Sequence, residues 1–398
     1  MWQKMKLDAR GSGISGLREA MELAAGKGCI NMGPGVCDLA PDPLVLEAAQ
    51  KAIMHGHNCY SPCTGIPRLR TNIADRYVAQ NQMAIAPENV LVTSGATGGL
   101  ECICKCFLQP GDEVILFEPF YQYHLRQITH YGGIPVFVRL QLPDWRFSSE
   151  ELEKAITSKT RLLVMSNPNN PTGKVFSLAE LETIGKICRD AGVVVVCDEV
   201  YEHLVIPEKR HISLAGLPGM FENTLTLSSA GKTFLVTGWR VGWLIGPARV
   251  VETLSVKADE AYLCAPTPLQ HAVADCLVFP QEFFRNLARR FAHKREQMIA
   301  LLQDIQFTPY LAQGAFYVLA GYEKLGYRND LEALRALVEN FRITAVPGSV
   351  FFFNSSSAGM LRFCFALEDE LLNSTCDFIA RQATQYPQAA KACFTYPT

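Results

Sequence analysis

Long apolar runs are what this chain most plainly lacks. Its most apolar stretches, such as Val193 to Cys197 and Phe351 to Phe353, are a few residues each, whereas a membrane-spanning helix needs roughly 20. Charge of one sign is also scarce, with 37 basic against 39 acidic side chains. Nucleic-acid and membrane-surface proteins carry a basic face or a like-charge run, so neither partner is expected. The 14 cysteines include no Cys-x-x-Cys pair, and no secretory segment is read ahead of them, which points to reduced, cytoplasmic thiols. Cys102, Cys104 and Cys106 cluster in sequence, but in a helix only Cys102 and Cys106 share a face, and no histidine nearby completes a ligand set. No metal is expected.

Short β-branched runs are plentiful. Val90 to Thr93, Glu113 to Phe117, Arg161 to Met165, Val193 to Cys197, Thr224 to Leu227 and Val241 to Ile245 alternate with amphipathic stretches. That alternation predicts a mainly parallel sheet covered by helices on both faces. Leu178 to Asp190 and Ser149 to Thr157 read as helices capped by Ser177 and Ser148. Phe283 to Leu302 reads as one long helix, with Phe284, Leu287, Phe291, Met298 and Leu302 on one side and many arginines and lysines on the other. Beyond it, strand-like Gly314 to Leu319 and Leu361 to Phe365 and helices at Leu331 to Phe341 and from about Glu368 predict a smaller α+β unit. At 398 residues the chain is long enough for two or three packed units.

Ligands of an open α/β sheet bind outside the carboxyl ends of its strands, and the chemically distinctive residues gather there. Ser94-Gly-Ala-Thr-Gly-Gly99 opens a helix whose free N–H groups, with the Thr97 hydroxyl, can hold a phosphate; a plain turn of small residues is the alternative. Glu118-Pro-Phe-Tyr121 brings an aromatic ring suited to stacking. Asn167-Pro-Asn-Asn-Pro-Thr-Gly173 is a proline-stiffened turn in which Asn170 can offer an amide. Asp198-Glu-Val-Tyr201 puts an acid at the end of a run apolar enough to be buried, where it needs a hydrogen-bonded or charged partner or serves as a helix cap. The fifth strand end carries Ser229-Ala-Gly-Lys-Thr-Phe-Leu-Val-Thr-Gly-Trp-Arg-Val-Gly242. Here Lys232 sits among slim residues that let an aldehyde approach, and Arg240 supplies a positive fork for an anion.

These motifs, and with them the chain from about Arg10 to the last helix, resemble the class I and II pyridoxal-phosphate aminotransferases of fold type I, most nearly the kynurenine and methionine aminotransferase branch. The resemblance implies a mainly parallel seven-stranded sheet flanked by helices plus a smaller α+β domain. It implies pyridoxal 5'-phosphate as cofactor and Lys232 as the Schiff-base lysine and proton carrier. Asp198 would pair with the pyridine nitrogen, Tyr201 and Asn170 would hydrogen-bond the ring oxygen, and Tyr121 would stack. Gly95, Ala96, Thr97, Ser229 and Arg240 would hold the phosphate, with Tyr60 of Asn58-Cys-Tyr-Ser-Pro-Cys-Thr-Gly65 reaching in from the second subunit of a homodimer. Arg362, in Leu361-Arg-Phe-Cys-Phe365, would grip the substrate α-carboxylate with Gly33 and Asn170 near it. Bland readings stand beside the last two: an internal Asp or Glu could pair Arg362, and Tyr60 could be a surface aromatic.

One departure from the pattern is Pro34 in Ile30-Asn-Met-Gly-Pro-Gly-Val36, where relatives often carry a small polar residue. No motif matches the second arginine of dicarboxylate-specific members, which favours aromatic or sulfur-containing amino donors over aspartate. The expected layout is an N-terminal segment (1–40) packed with the small domain, a large cofactor-binding domain (41–280) and a small C-terminal domain (281–398). The expected activity is transfer of an amino group from an amino acid to a 2-oxo acid, with a carbon–sulfur β-lyase or an aspartate-type aminotransferase as alternatives on the same scaffold.

Overall fold

Strands that are apolar on both faces are stable only inside a sheet covered on both sides, and the computed structural model has such a sheet. It describes residues 28–33, 37, 39–81, 83–355 and 357–385; Arg10, Pro34 and Gly35 lie outside them. In chain order the first strands are β1 (Ile30–Asn31), β2 (Val90–Thr93), β3 (Glu113–Glu118), β4 (Ile134–Arg139), β5 (Thr160–Ser166), β6 (Val194–Asp198), β7 (Thr224–Ser229) and β8 (Gly242–Ile245). Strands β2 to β8 form a seven-stranded sheet in the order β2-β8-β7-β6-β5-β3-β4. All pairings are parallel except those of β8, which runs antiparallel to both β2 and β7.

The six apolar runs of the sequence correspond to β2, β3, β5, β6, β7 and β8, and β4 is the addition. It lies at the sheet edge, most of its residues are partly exposed, and Pro135 lacks the N–H that a central strand would donate. Its residues therefore do not make a continuous buried run. Helix Leu178–Asp190 starts as expected: Ser177 Oγ accepts from the Glu180 N–H at 3.3 Å, and a Glu180 carboxylate oxygen accepts from the Ser177 N–H at 2.9 Å. Such a reciprocal cap satisfies two donors that a helix start leaves open. Helix Ser149–Ala155 ends before Thr157 because Ile156 is already extended.

The remaining strands are β9 (Thr308–Pro309), β10 (Tyr317–Gly321), β11 (Ile343–Thr344), β12 (Val346–Pro347) and β13 (Met360–Cys364). Four of them form an antiparallel sheet, β12-β13-β10-β9, while β11 pairs in parallel with β1. Strand β10 starts later than Gly314 because Ala315 takes a φ of 61°, which interrupts the extended backbone. Helix Gln281–Asp304 runs between the two sheets' sequences and buries Phe284, Leu287, Phe291, Met298 and Leu302, as its periodicity predicts. Lys294 departs from the charged face of that helix. It is buried, donates from Nζ to the Leu367 carbonyl at 2.6 Å and pairs with Asp369. Among the described residues no helix is long and apolar enough to cross a membrane.

Candidate active site

The register of the large sheet brings distant residues to one edge. Ser166 pairs with Asp198, Asp198 with Leu227, and Gly242 with both Ser229 and Thr93. Because β8 is reversed, its beginning faces the same way as its neighbours' ends, so Arg240 arrives beside the helix that starts after β2. A cavity of about 530 Å³ opens at this edge.

At one end of the cavity lie Ala96 and Thr97, in the first turn of helix Gly95–Phe107. Its N-cap residue Ser94 makes no side-chain cap, so the first N–H groups stay available to an anion. Arg240 sits opposite in a left-handed conformation, φ 53°, and donates to the carbonyls of Thr237 at 2.9 Å and Ser94 at 3.3 Å. Two glycines allow this approach. Gly95 has a φ of 67° and lies directly against the Arg240 guanidinium, and a Cβ on Gly242 would stand 2.6 Å from the Gly95 carbonyl carbon. Gly95 thus packs behind the cradle rather than lining it. Ser229 lines the cavity, but its hydroxyl donates to the Val241 carbonyl at 3.2 Å and accepts from the Gly231 N–H at 3.0 Å. It caps the short helix Ala230–Thr233 that carries Lys232.

Lys232 Nζ is 4.8 Å from the centre of the Phe316 ring and 5.7 Å from that of Tyr201. Burial holds its amine below the usual lysine pKa, and the Arg362 charge acts in the same direction, against Cys364, Cys37 and Asp198. A larger share of neutral, nucleophilic amine follows. Asp198 is buried, and its Oδ2 meets Nε2 of His124 at 3.0 Å while Oδ1 accepts from the Val200 N–H at 3.3 Å. Tyr121 lines the cavity as expected. The Tyr201 hydroxyl donates to that of Tyr317 at 3.2 Å.

Arg362, on β13, is almost fully buried with no carboxylate partner among the described residues. Its Nη1 donates to Asn170 Oδ1 at 3.0 Å and its Nη2 to the Gly33 carbonyl at 3.2 Å. The guanidinium lies over the rings of Tyr317, 4.1 Å away, and Phe351, 4.7 Å away, and its Nε is shielded without any partner. Among the described residues no internal Asp or Glu pairs it. Gly33 and Asn170 therefore act as anchors of the arginine. Tyr60 stands apart at 82% exposure and does not line the cavity.

Motif reading does not reveal His124, Tyr317, Phe351 or Arg126, although Tyr317, Phe351 and Arg126 all line the cavity. The faint signal for His124 is its place three residues after Tyr121, which points the imidazole back under the strand ends. Pyridoxal phosphate fits the residues present. A helix start and Arg240 suit its phosphate, a buried acid its ring nitrogen, an aromatic wall its face, and a buried lysine of lowered pKa its aldehyde.

Comparison with known proteins agrees. The family model for aminotransferase class I and II matches residues 27–379. Kynurenine–oxoglutarate transaminase 3 of Mus musculus is 34% identical over 388 residues, covering 89% of this chain and 85% of the relative. A probable N-succinyldiaminopimelate aminotransferase of Mycobacterium tuberculosis is 36% identical over 370 residues, covering 89% of this chain and 92% of the relative. The solved structure of YbdL from Escherichia coli, described as having a methionine aminotransferase function, superposes with a TM-score of 0.90 at 27% identity, over 95% of this chain and 99% of that one. The chain belongs to the class I and II aminotransferases and is a pyridoxal-phosphate-dependent aminotransferase of fold type I.

Proposed function

We propose that this enzyme moves an amino group from an aromatic or sulfur-containing amino acid to a 2-oxo acid, with Lys232, Asp198 and Tyr201 as its catalytic residues. The observation that carries the substrate reading is Arg362: a buried guanidinium, aimed by Asn170 and Gly33, with no acidic partner among the described residues. An amino acid's α-carboxylate supplies the missing anion in a bidentate pair. The cofactor, when bound, withdraws electrons from the substrate Cα. Lys232 would hold it and, with its amine free, would serve as the base for the substrate Cα proton. Asp198, steadied by His124, would pair with the ring nitrogen, and Asn170, with Tyr201 once its hydroxyl releases that of Tyr317, would donate toward the ring oxygen. Tyr121 stacks on the ring. Ala96, Thr97, Ser229 and Arg240 would hold the phosphate, Ser229 by releasing its bond to Val241.

The chain works as a homodimer in which Tyr60 reaches the partner's phosphate. Support comes from helix Pro43–Met54, which exposes Leu44, Leu46, Ile53 and Met54 a few residues before Tyr60. The large domain (41–280) carries the cofactor, and the small domain (281–398) joins the N-terminal segment (1–40), a reading supported by the pairing of Ile30 with Ile343 and Asn31 with Thr344. Buried thiols at Cys104, Cys188 and Cys276, each pushed up to about 12 by burial, suit a reducing cytoplasm.

Borohydride reduction of the yellow holoenzyme followed by peptide mapping tests the site. The label is expected on Lys232; its appearance on Lys174 or Lys257 would overturn the assignment. A panel of amino donors should then require a stoichiometric 2-oxo acid acceptor. Turnover of a cysteine conjugate to pyruvate and ammonia without one would replace transamination with β-lyase chemistry.

A further inference from the structure

Tyr60 is exposed, but the chain that carries it is firmly held. Gln270, on helix Thr267–Leu277, is fully buried, and its whole amide is used. Its Oε1 accepts from the Ile66 N–H at 2.9 Å, while its Nε2 donates to Ser61 Oγ at 2.9 Å and to the Ala265 carbonyl at 2.8 Å. Two of these bonds hold the stretch that begins one residue after Tyr60. The same helix grips that stretch at its ends: His271 stacks on His57 with ring centres 3.7 Å apart, and Asp275 pairs with Arg68. The large sheet adds another anchor, because β2 is an edge strand and the Val92 N–H donates to the Thr64 carbonyl at 3.0 Å. Gly65, at φ 98°, packs against Val92, where a Cβ would collide with the valine side chain. Burying a primary amide is costly unless its donors and acceptor are met. Here they are met chiefly by a loop that leaves Tyr60 82% exposed.

We propose that Gln270 is a positioning residue that sets Tyr60 for the cofactor phosphate of the neighbouring subunit, so that its effect is felt in the partner's site and not in its own. The inference rests on the reading of Tyr60 as a ligand supplied across a dimer. A loop already fixed at Ser61 and Ile66 delivers its phenol at a lower ordering cost than a free one. The helix that fixes it also packs on helix Pro43–Met54, whose outward apolar side chains support the proposed interface. One helix thus sets both the face that meets the partner and the side chain that crosses to it.

The test uses heterodimers purified by two different tags, in which one chain carries Lys232→Ala so that borohydride fixes the cofactor only to the other. Labelling across a pyridoxal phosphate titration gives the Kd of that one site, and thermal melts establish that each variant is folded. Gln270→Leu, of similar volume but without the bonds, is placed on either chain in turn. On the Lys232→Ala chain it is expected to raise the cofactor Kd of the other chain's site roughly threefold to tenfold, the range for a hydrogen bond to a charged group. On the chain that keeps Lys232 it should leave the Kd as in the parent heterodimer. Ser61→Ala removes one of the bonds without altering the core; it should act in the same direction, more weakly, and it decides the question should Gln270→Leu not fold. A loss confined to the substituted chain's own site, or as large there, would overturn the role of Gln270. So would no loss from either variant where Tyr60→Phe on the Lys232→Ala chain does raise the Kd. Separately, an unchanged Kd with that Tyr60→Phe would overturn the reading of Tyr60 beneath it.

Discussion

Arg362 illustrates how a buried charge can be kept for a ligand. Its neutral acceptors orient it without neutralising it, so on the proposed reading an α-carboxylate would complete the ion pair. Lysine has the charge but not the fork. Arg362→Lys is expected to lower kcat/KM for every amino donor alike, on the order of a hundredfold, while the melting temperature of the apoenzyme holds or rises. Steady-state kinetics across several donors together with thermal melts would check this; a loss confined to one donor class would contradict it. At this scale, legibility followed local pattern. Lys232, Arg240, Asp198 and Asn170 sit in motifs attached to strand ends, where residue type and position together restrict the chemistry. His124 belongs to an ordinary helix and meets Asp198 only because that helix packs beside the strand ends, which no short motif encodes.

Behind strand β6 lies an element with its own pH dependence. Glu199 and Glu202 are buried: Ser213 donates to Glu199 at 3.0 Å, and Ser228 and Tyr77 donate to Glu202 at 2.6 and 3.1 Å. Nε2 of His211 is 3.6 Å from Glu199 and 3.1 Å from the Asn167 carbonyl, at the root of the loop that bears Asn170. Burial pushes both carboxyls up and holds His211 down at about 4. A histidine whose folded pKa lies below its unfolded value of about 6.5 favours folding above that pH, and the contribution fades as pH falls from 6.5 toward 4. The raised carboxyls act oppositely: their contribution is complete below the unfolded value of 4.5 and is lost as pH rises through their folded values. His211→Asn should therefore flatten the acid side of the stability profile, removing on the order of 3 kcal/mol of loss between pH 6.5 and 4. Urea midpoints across that range would measure it, and an unchanged slope would count against a neutral buried imidazole. Element boundaries were legible where caps or apolar runs mark them, as at Ser177, and less so at the edge strand β4 and at Ala315, where exposure or a left-handed residue hides the pattern.

For the molecule as a whole, helix Pro43–Met54 is apolar on two sides. Val45, Ala48, Ala49 and Ala52 are buried within the chain, while Leu44, Leu46, Ile53 and Met54 face outward. A helix apolar on both faces calls for a partner on each. The double variant Ile53→Glu/Met54→Glu is expected to sediment as a monomer and to lose cofactor more readily on dialysis, since Tyr60 would no longer reach a neighbouring site. A dimer of unchanged affinity would place the interface elsewhere. The α/β character was legible because six of the seven large-sheet strands announce themselves as apolar runs. The small sheet was only half visible: β9 and β12 are two residues long, too short to carry a period.

The reversed strand β8 bears on the order of events. Lys232 and Arg240 both lie in the one connection between neighbouring strands β7 and β8, so this part of the proposed cofactor grip takes shape once a single sheet has formed, before Tyr60 of a second subunit would add to it. The proposed grip on substrate is different in kind: Gly33, Asn170 and Arg362 come from three remote stretches of chain and meet only when both sheets are docked. On that reading, the residues that face the cofactor come together earlier in folding than those that face the amino acid.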